Sequence, residues 1–198
     1  TIIGRGSPRA NQIERTKVAK HDREDYLEFT DILRLKSEGE SLPVVSFFPK
    51  KAKYSGLAVV WVDGRGKAGL YGEDGRPIAA IRRLLDGGAA VMGADLLYQG
   101  EFLADGKPLA VTPKVGNNRE YAGYSFGYNH TLFAHRTHDV MTLVSWVAGF
   151  DEEKPEEVTL AARDGMVPVA LAALSQIGGV KNAMIDDLTF RFANLKSY

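Results

Sequence analysis

Two stretches constrain this chain more than any others: "GLAVVWV" at 56–62 and "AAVMGADLL" at 89–97. Each is apolar at successive positions and lacks the alternation of a strand with one wet face. Such runs belong to strands buried on both faces, as in parallel sheets covered on both sides. Between them lies "PIAAIRRLLDGG", where Pro77 opens a predicted helix and Gly87 with Gly88 stops it. A buried strand, a helix and a second buried strand form a crossover unit, so the chain is expected to be α/β.

The remaining segments extend this plan. "YLEFTDILRLKS" from Tyr26, the turn "EGES" and "LPVVSFFP" read as an antiparallel hairpin. A Gly-, Asn- and Tyr-rich insertion over 99–128 leads to the helical "TLFAHRTHDVMTLVSWVAG". Then come a strand, "EEVTLAA", a tight turn, "RDGM", an apolar helix, "PVALAALSQIGG", and a last strand, "VKNAMID". The expected organisation is an extended basic N-terminal arm over 1–25, with few packed residues because it lacks apolar period, and one α/β domain over 26–198. With 198 residues and 44% hydrophobic content, one substantial core is within reach.

Composition removes several function classes. Lys plus Arg and Asp plus Glu are 25 each, so no global basic field points to nucleic acid or an anionic membrane. The absence of cysteine removes disulfides, thiol nucleophiles and thiolate metal sites. No apolar run reaches membrane-spanning length and the N-terminus lacks an apolar signal core. A soluble chain is expected, any export signal being already removed or never present. The compartment stays open, a secreted or periplasmic one included.

Three motifs bear on chemistry. Gly64, Gly66 and Gly69 spell G-x-G-x-x-G after a buried strand, and Asp95 ends the next strand, which outlines a dinucleotide unit. However, "LYGEDGRP" separates Gly69 from the helix, so the helix amides cannot face a pyrophosphate there; the plain reading is a glycine-rich loop. His130, His135 and His138 lie on or near one predicted helix, without a third ligand at metal spacing beside Asp139. Arg136 and Asp139 are expected to pair with each other or with a neighbouring loop. No metal and no cofactor are expected. The third motif is Asp164 at the tip of the turn, where it either caps the following helix through the amides of Gly165, Met166 or Val167 or serves as a nucleophile.

In order and spacing, the hairpin, "LAVVWVDGRGKAGL", "MGADLLYQGEF", "HRTHDVMTLVSWV", the Asp164 turn and "DDLTFRFANLKSY" resemble α/β-hydrolases of the acetyl xylan esterase-like group. The resemblance covers nearly everything after residue 25. It implies a mostly parallel sheet with helices on both faces, a nucleophile elbow, and an oxyanion hole from the amide after the nucleophile and one in an earlier loop. On this sequence the elbow falls on Asp164, where the family has Ser in G-x-S-x-G. The oxyanion amides fall on Gly165 and on the loop of Asp63, Gly64 and Arg65. Asp186 is the candidate acid, with Asp187 beside it. All four histidines precede Asp164, whereas the family's acid and histidine follow the nucleophile on strands beyond the last segment here.

The readings that stand are a hydrolase of carbohydrate esters; an inactive hydrolase-like domain binding polysaccharide or protein, with Tyr121, Tyr124, Phe126 and Tyr128 as stacking faces; an Asp-nucleophile hydrolase of the dehalogenase or epoxide type; and a nucleotide binder. The expected partner is a small or polymeric ester substrate, with neither nucleic acid nor membrane. The strand at 180–186 lacks the Pro or inward charge that blunts an edge, so further chain or a second copy is expected to cover it.

Overall fold

The computed structural model describes residues 3–107, 129–150 and 154–186. The Tyr- and Phe-bearing part of the long insertion, including Tyr121, Tyr124, Phe126 and Tyr128, lies outside the described residues, as does Asp187. Among the described residues seven strands form one sheet: β1 (Ile13–Asp22), β2 (Tyr26–Leu35), β3 (Glu40–Pro49), β4 (Leu57–Val62), β5 (Ala90–Ala94), β6 (Glu157–Ala162) and β7 (Asn182–Ile185). Their spatial order is β1-β2-β3-β5-β4-β6-β7. Strands β1 to β3 pair antiparallel with their neighbours and β3 meets β5 antiparallel, whereas β5, β4, β6 and β7 are mutually parallel. The sheet is therefore mixed, with a parallel half that carries the crossovers.

Helices cover both faces, and β4 shows why its sequence could not alternate. Ala58, Val60 and Val62 join one core with α2 (Leu132–Ala148) and α3 (Val167–Leu174). Val59 and Trp61 join the opposite core with Ile81 and Leu85 of α1 (Ala79–Asp86). Successive residues of a strand point to opposite faces, so both sets must be apolar when both faces are dry. The hairpin is closed by Gly39 in the left-handed region at φ 68, after a short 3-10 turn over Lys36–Glu38. Thr131 caps α2 by accepting from the Ala134 amide at 3.1 Å.

The expectation of a loosely packed N-terminal arm over 1–25 requires correction over the described residues 3–25. Residues 13–22 form β1 in register with β2, Ile3 is buried at 3% exposure in the main core, and Ser145 Oγ donates to the Pro8 carbonyl at 2.7 Å. Arg5 is clasped by Glu38 at 2.8 Å and by Glu40. The segment shows no apolar alternation because, among the described residues, β1 is an edge strand held by its backbone ladder, and most of its side chains face solvent.

Candidate functional site

The C-terminal ends of β4, β5, β6 and β7 converge on one edge of the sheet, where ligands bind in open α/β sheets. The turn between β6 and α3 is tight. The Met166 amide donates to the Arg163 carbonyl at 3.2 Å, with Asp164 at φ 51 and Gly165 at φ 80 between them. A non-glycine residue at positive φ is uncommon, and Asp is among the few that tolerate it. Asp164 is exposed, and its carboxylate makes no hydrogen bond or ion pair with any described residue. The helix-capping alternative is thus not what the structure shows: α3 has Met166 at its N-cap and no side-chain cap.

The loop after β4 packs directly on this turn. A Cβ on Gly64 would collide with the Asp164 carbonyl oxygen, so only glycine permits the approach. A Cβ on Gly66 would collide with the Asp95 carboxylate, and one on Gly69 with that of Asp63. The three glycines of the dinucleotide-like motif thus answer to close packing against acidic residues. Asp95 is buried, its Oδ1 accepts from the Lys67 amide at 2.7 Å and its Oδ2 from the Glu101 amide at 3.1 Å. It ties the two loops together and does not face a ribose site.

Gln99 completes that tie. Its buried side chain donates to the carbonyls of Asp63 at 3.1 Å and Gly64 at 3.0 Å, and accepts from the Leu96 amide at 3.1 Å. The Arg65 amide donates to Asp63 Oδ1 at 3.0 Å, so it is engaged within its own loop. The amides of Gly64 and Gly165 have no described acceptor. Arg163 links the parts: its Nε lies 3.5 Å from Asp63 Oδ2 and 3.8 Å from Asp186 Oδ2. Asp63 is nearly inaccessible, whereas the Asp186 side chain is 65% exposed. The structure therefore brings Asp164, Gly165, Gly64, Arg65 and Asp186 to one end of the sheet. Arg163 and Gln99 were missed as site residues, because their partners sit in other loops, remote along the chain.

The histidines assemble elsewhere on the same end. His138 is buried with Nδ1 at 2.8 Å from Glu40 Oε2, and His135 Nδ1 lies 3.7 Å from Glu40 Oε1. Burial alone would raise the Glu40 carboxyl, but hydrogen bonds with His138 and Arg5 outweigh it and hold it at about 2. Burial pushes the neighbouring Asp139 carboxyl up to about 7, against the lowering effect of its 2.9 Å bond from the Leu97 amide. Arg136 Nε donates to the Leu97 carbonyl at 2.9 Å, so Arg136 and Asp139 both grip this neighbouring loop. Among the described residues no group of three or more His, Asp or Glu side chains has the arrangement to hold a metal ion. Beside the Asp164 turn a cleft of about 550 Å³ opens among Trp61, Leu84, Arg163, Met184 and Asp186.

No protein-family model matches the sequence, and no curated protein is detectably similar to it. Solved structures do match. A glucuronoyl esterase from Solibacter usitatus superposes with TM-score 0.60 at 12% identity, over 91% of this chain and 53% of that one. Acetyl xylan esterase 1 from Thermoanaerobacterium sp. JW/SL YS485 gives 0.58 at 15%, over 87% and 51%. An acetyl xylan esterase from Paenibacillus sp. R4 gives 0.56 at 12%, over 86% and 52%. The chain thus spans about half the length of these proteins, and over that half it has the α/β fold of carbohydrate esterases.

Proposed function

We propose that the chain forms part of an α/β-hydrolase that cleaves carboxylic esters of carbohydrates, with Asp164 in the nucleophile's place. One observation carries the reading: an exposed carboxylate without a described partner is held at positive φ on a strand-to-helix turn, beside two amides, of Gly64 and Gly165, that have no described acceptor. The strained strand-to-helix turn is how this fold class presents a reactive side chain. The choice of carbohydrate esters is supported by the esterases that share the fold.

A carboxylate can serve such a reaction by removing a proton from water. The water oxygen attacks the ester carbonyl carbon as its proton passes to Asp164, and the resulting oxyanion accepts from the two free amides. The bond from carbon to the sugar oxygen then breaks, and the departing alkoxide takes the proton back from Asp164. Direct attack by Asp164 would instead give a mixed anhydride, which offers no gain over the ester. In this scheme Arg163, held by Asp63 and Asp186, fixes the turn against the Gly64 loop.

A second reading follows from the identity of Asp164: attack at a saturated carbon, as on alkyl halides or epoxides, gives an ordinary ester intermediate. Turnover of a chromogenic acetyl ester and of acetylated xylo-oligosaccharides tests both. The expected result is acetate release that falls about 10²–10⁴-fold in Asp164→Asn. Equal turnover by variant and parent would remove Asp164 from the mechanism. Halide release without acetate release would favour the second reading, and saccharide binding without any turnover would favour a purely binding domain.

A further inference from the structure

A groove of about 720 Å³ lies at the opposite end of the sheet, where the face of β1, β2 and β3 runs past the C-terminal end of α2. Its floor is aromatic. Phe29 and Phe48 meet edge to face with centroids 5.7 Å apart, and Phe48 and Phe150 lie 6.1 Å apart. The Arg15 guanidinium sits 5.5 to 5.7 Å from the ring centroids of Phe29, Trp146 and Phe150 and pairs with the buried Asp31 at 2.9 Å. That pair neutralises Arg15 and fixes the floor.

Above the floor stand Lys17 and Lys20, both exposed. In a regular strand residues three apart point to opposite faces. Here a bulge between Lys17 and Ala19 throws Val18 outward, to 58% exposure. Lys17 then pairs in register with Asp31 and Lys20 with Phe29, two positions on one face of β2. The bulge therefore turns both ammonium groups toward the same groove, a known use of bulges. Among the described residues neither lysine makes an ion pair, Lys20 Nζ sits 5.5 Å from the Phe29 centroid, and no carboxylate lines the groove.

We propose that this groove binds an anionic, uronate-bearing oligosaccharide, with sugar C–H groups packed against Phe29 and Phe48 and carboxylates at Lys17 and Lys20. The charge argues for an anion, and flat apolar rings suit the C–H faces of pyranoses. The groove supplies two unpaired cations, whereas a nucleic-acid strand brings a phosphate with every nucleotide and draws its affinity from many such contacts. The choice of a saccharide rests on the reading of the chain as a carbohydrate-ester hydrolase. The site does not overlap the Asp164 turn: β1 and β6 lie five strand spacings apart, roughly 24 Å at about 4.8 Å each.

The test is titration calorimetry with oligogalacturonate, neutral xylo-oligosaccharide and a single-stranded oligonucleotide, on the Asp164→Asn chain so that no ester chemistry intervenes. Saturable oligogalacturonate binding is expected, weakened at least tenfold by Lys17→Ala with Lys20→Ala and by added salt, and unchanged by Lys181→Ala on the far edge. No binding, binding indifferent to the double substitution, equal binding of the neutral saccharide, or tighter binding of the oligonucleotide would each overturn it. Thermal melting of the double variant confirms that the exposed substitutions leave the fold intact, and the salt dependence of the parent chain gives a readout without substitution. Ester turnover by the parent without groove binding sinks this proposal alone. Groove binding without turnover leaves it standing and removes the catalytic reading.

Discussion

At the scale of single residues, Gly64 and Gly165 make opposite demands. Gly64 has no room for a Cβ against the Asp164 carbonyl, whereas Gly165 has open space but sits at φ 80. Gly64→Ala is therefore expected to displace the turn and lower turnover at least tenfold, while Gly165→Ala costs about 1–2 kcal/mol of left-handed strain and leaves the turn in place; ester kinetics with thermal melting separate the two. Asp139 offers a pH test. Its folded carboxyl, raised to about 7, keeps its proton where the unfolded chain has released it, so its contribution to stability is full below pH about 4 and lost as pH rises through about 7. Glu40, held at about 2, behaves oppositely and loses its contribution only as pH falls from about 4.5 toward 2. The groups around them are Arg5, His135, Arg136, His138 and the Leu97 amide. Asp139→Asn should flatten the decline between pH 4 and 7 in chemical denaturation, by about 1–2 kcal/mol out of a bound near 4. An unchanged slope would show that Asp139 titrates normally. The sequence exposed Asp164 because a polar residue at the tip of a strand-to-helix turn stands out locally. It hid Arg163, Asp63 and Gln99 as a connected group, since their contacts are set by which loops the sheet order brings together.

At the scale of elements, the parallel strands and their helices were legible because double-sided burial leaves a continuous apolar signature: β4, β5, β6, α1 and the start of α3 lie where apolar runs and Gly or Pro punctuation put them, while α3 ends at Leu174, short of Gly178 and Gly179. Strand β1 was not legible. Its identity lies in backbone pairing with β2 and in a bulge, and neither leaves an apolar period. The same segment carries Ile3 into the main core, so Ile3→Ala should destabilise the chain by about 2–5 kcal/mol, measured by urea unfolding. A loss below about 0.5 kcal/mol, the usual size for surface positions, would return the segment to the status of an arm. Thr131→Ala should cost about 1 kcal/mol through the lost cap on α2.

At the scale of the whole molecule, the two edges of the sheet differ. Among the described residues β7 pairs only with β6, its first three residues are exposed, and Met184 is 42% accessible. We expect this edge to be covered in solution by further residues of the same polypeptide or by a second copy. Hydrogen exchange of the amides over Asn182–Ile185 reads that directly: slow exchange marks a cover, and fast exchange in a stable monomer would refute it. The other edge, β1, carries Lys17 and Lys20, and its Lys17–Ala19 bulge breaks the regular register that another strand would have to match. A sheet that can be extended from one side only has a valence of one. If two copies join through β7, their growth is expected to end there, as closed pairs and not open fibres, which size measurement in solution reads.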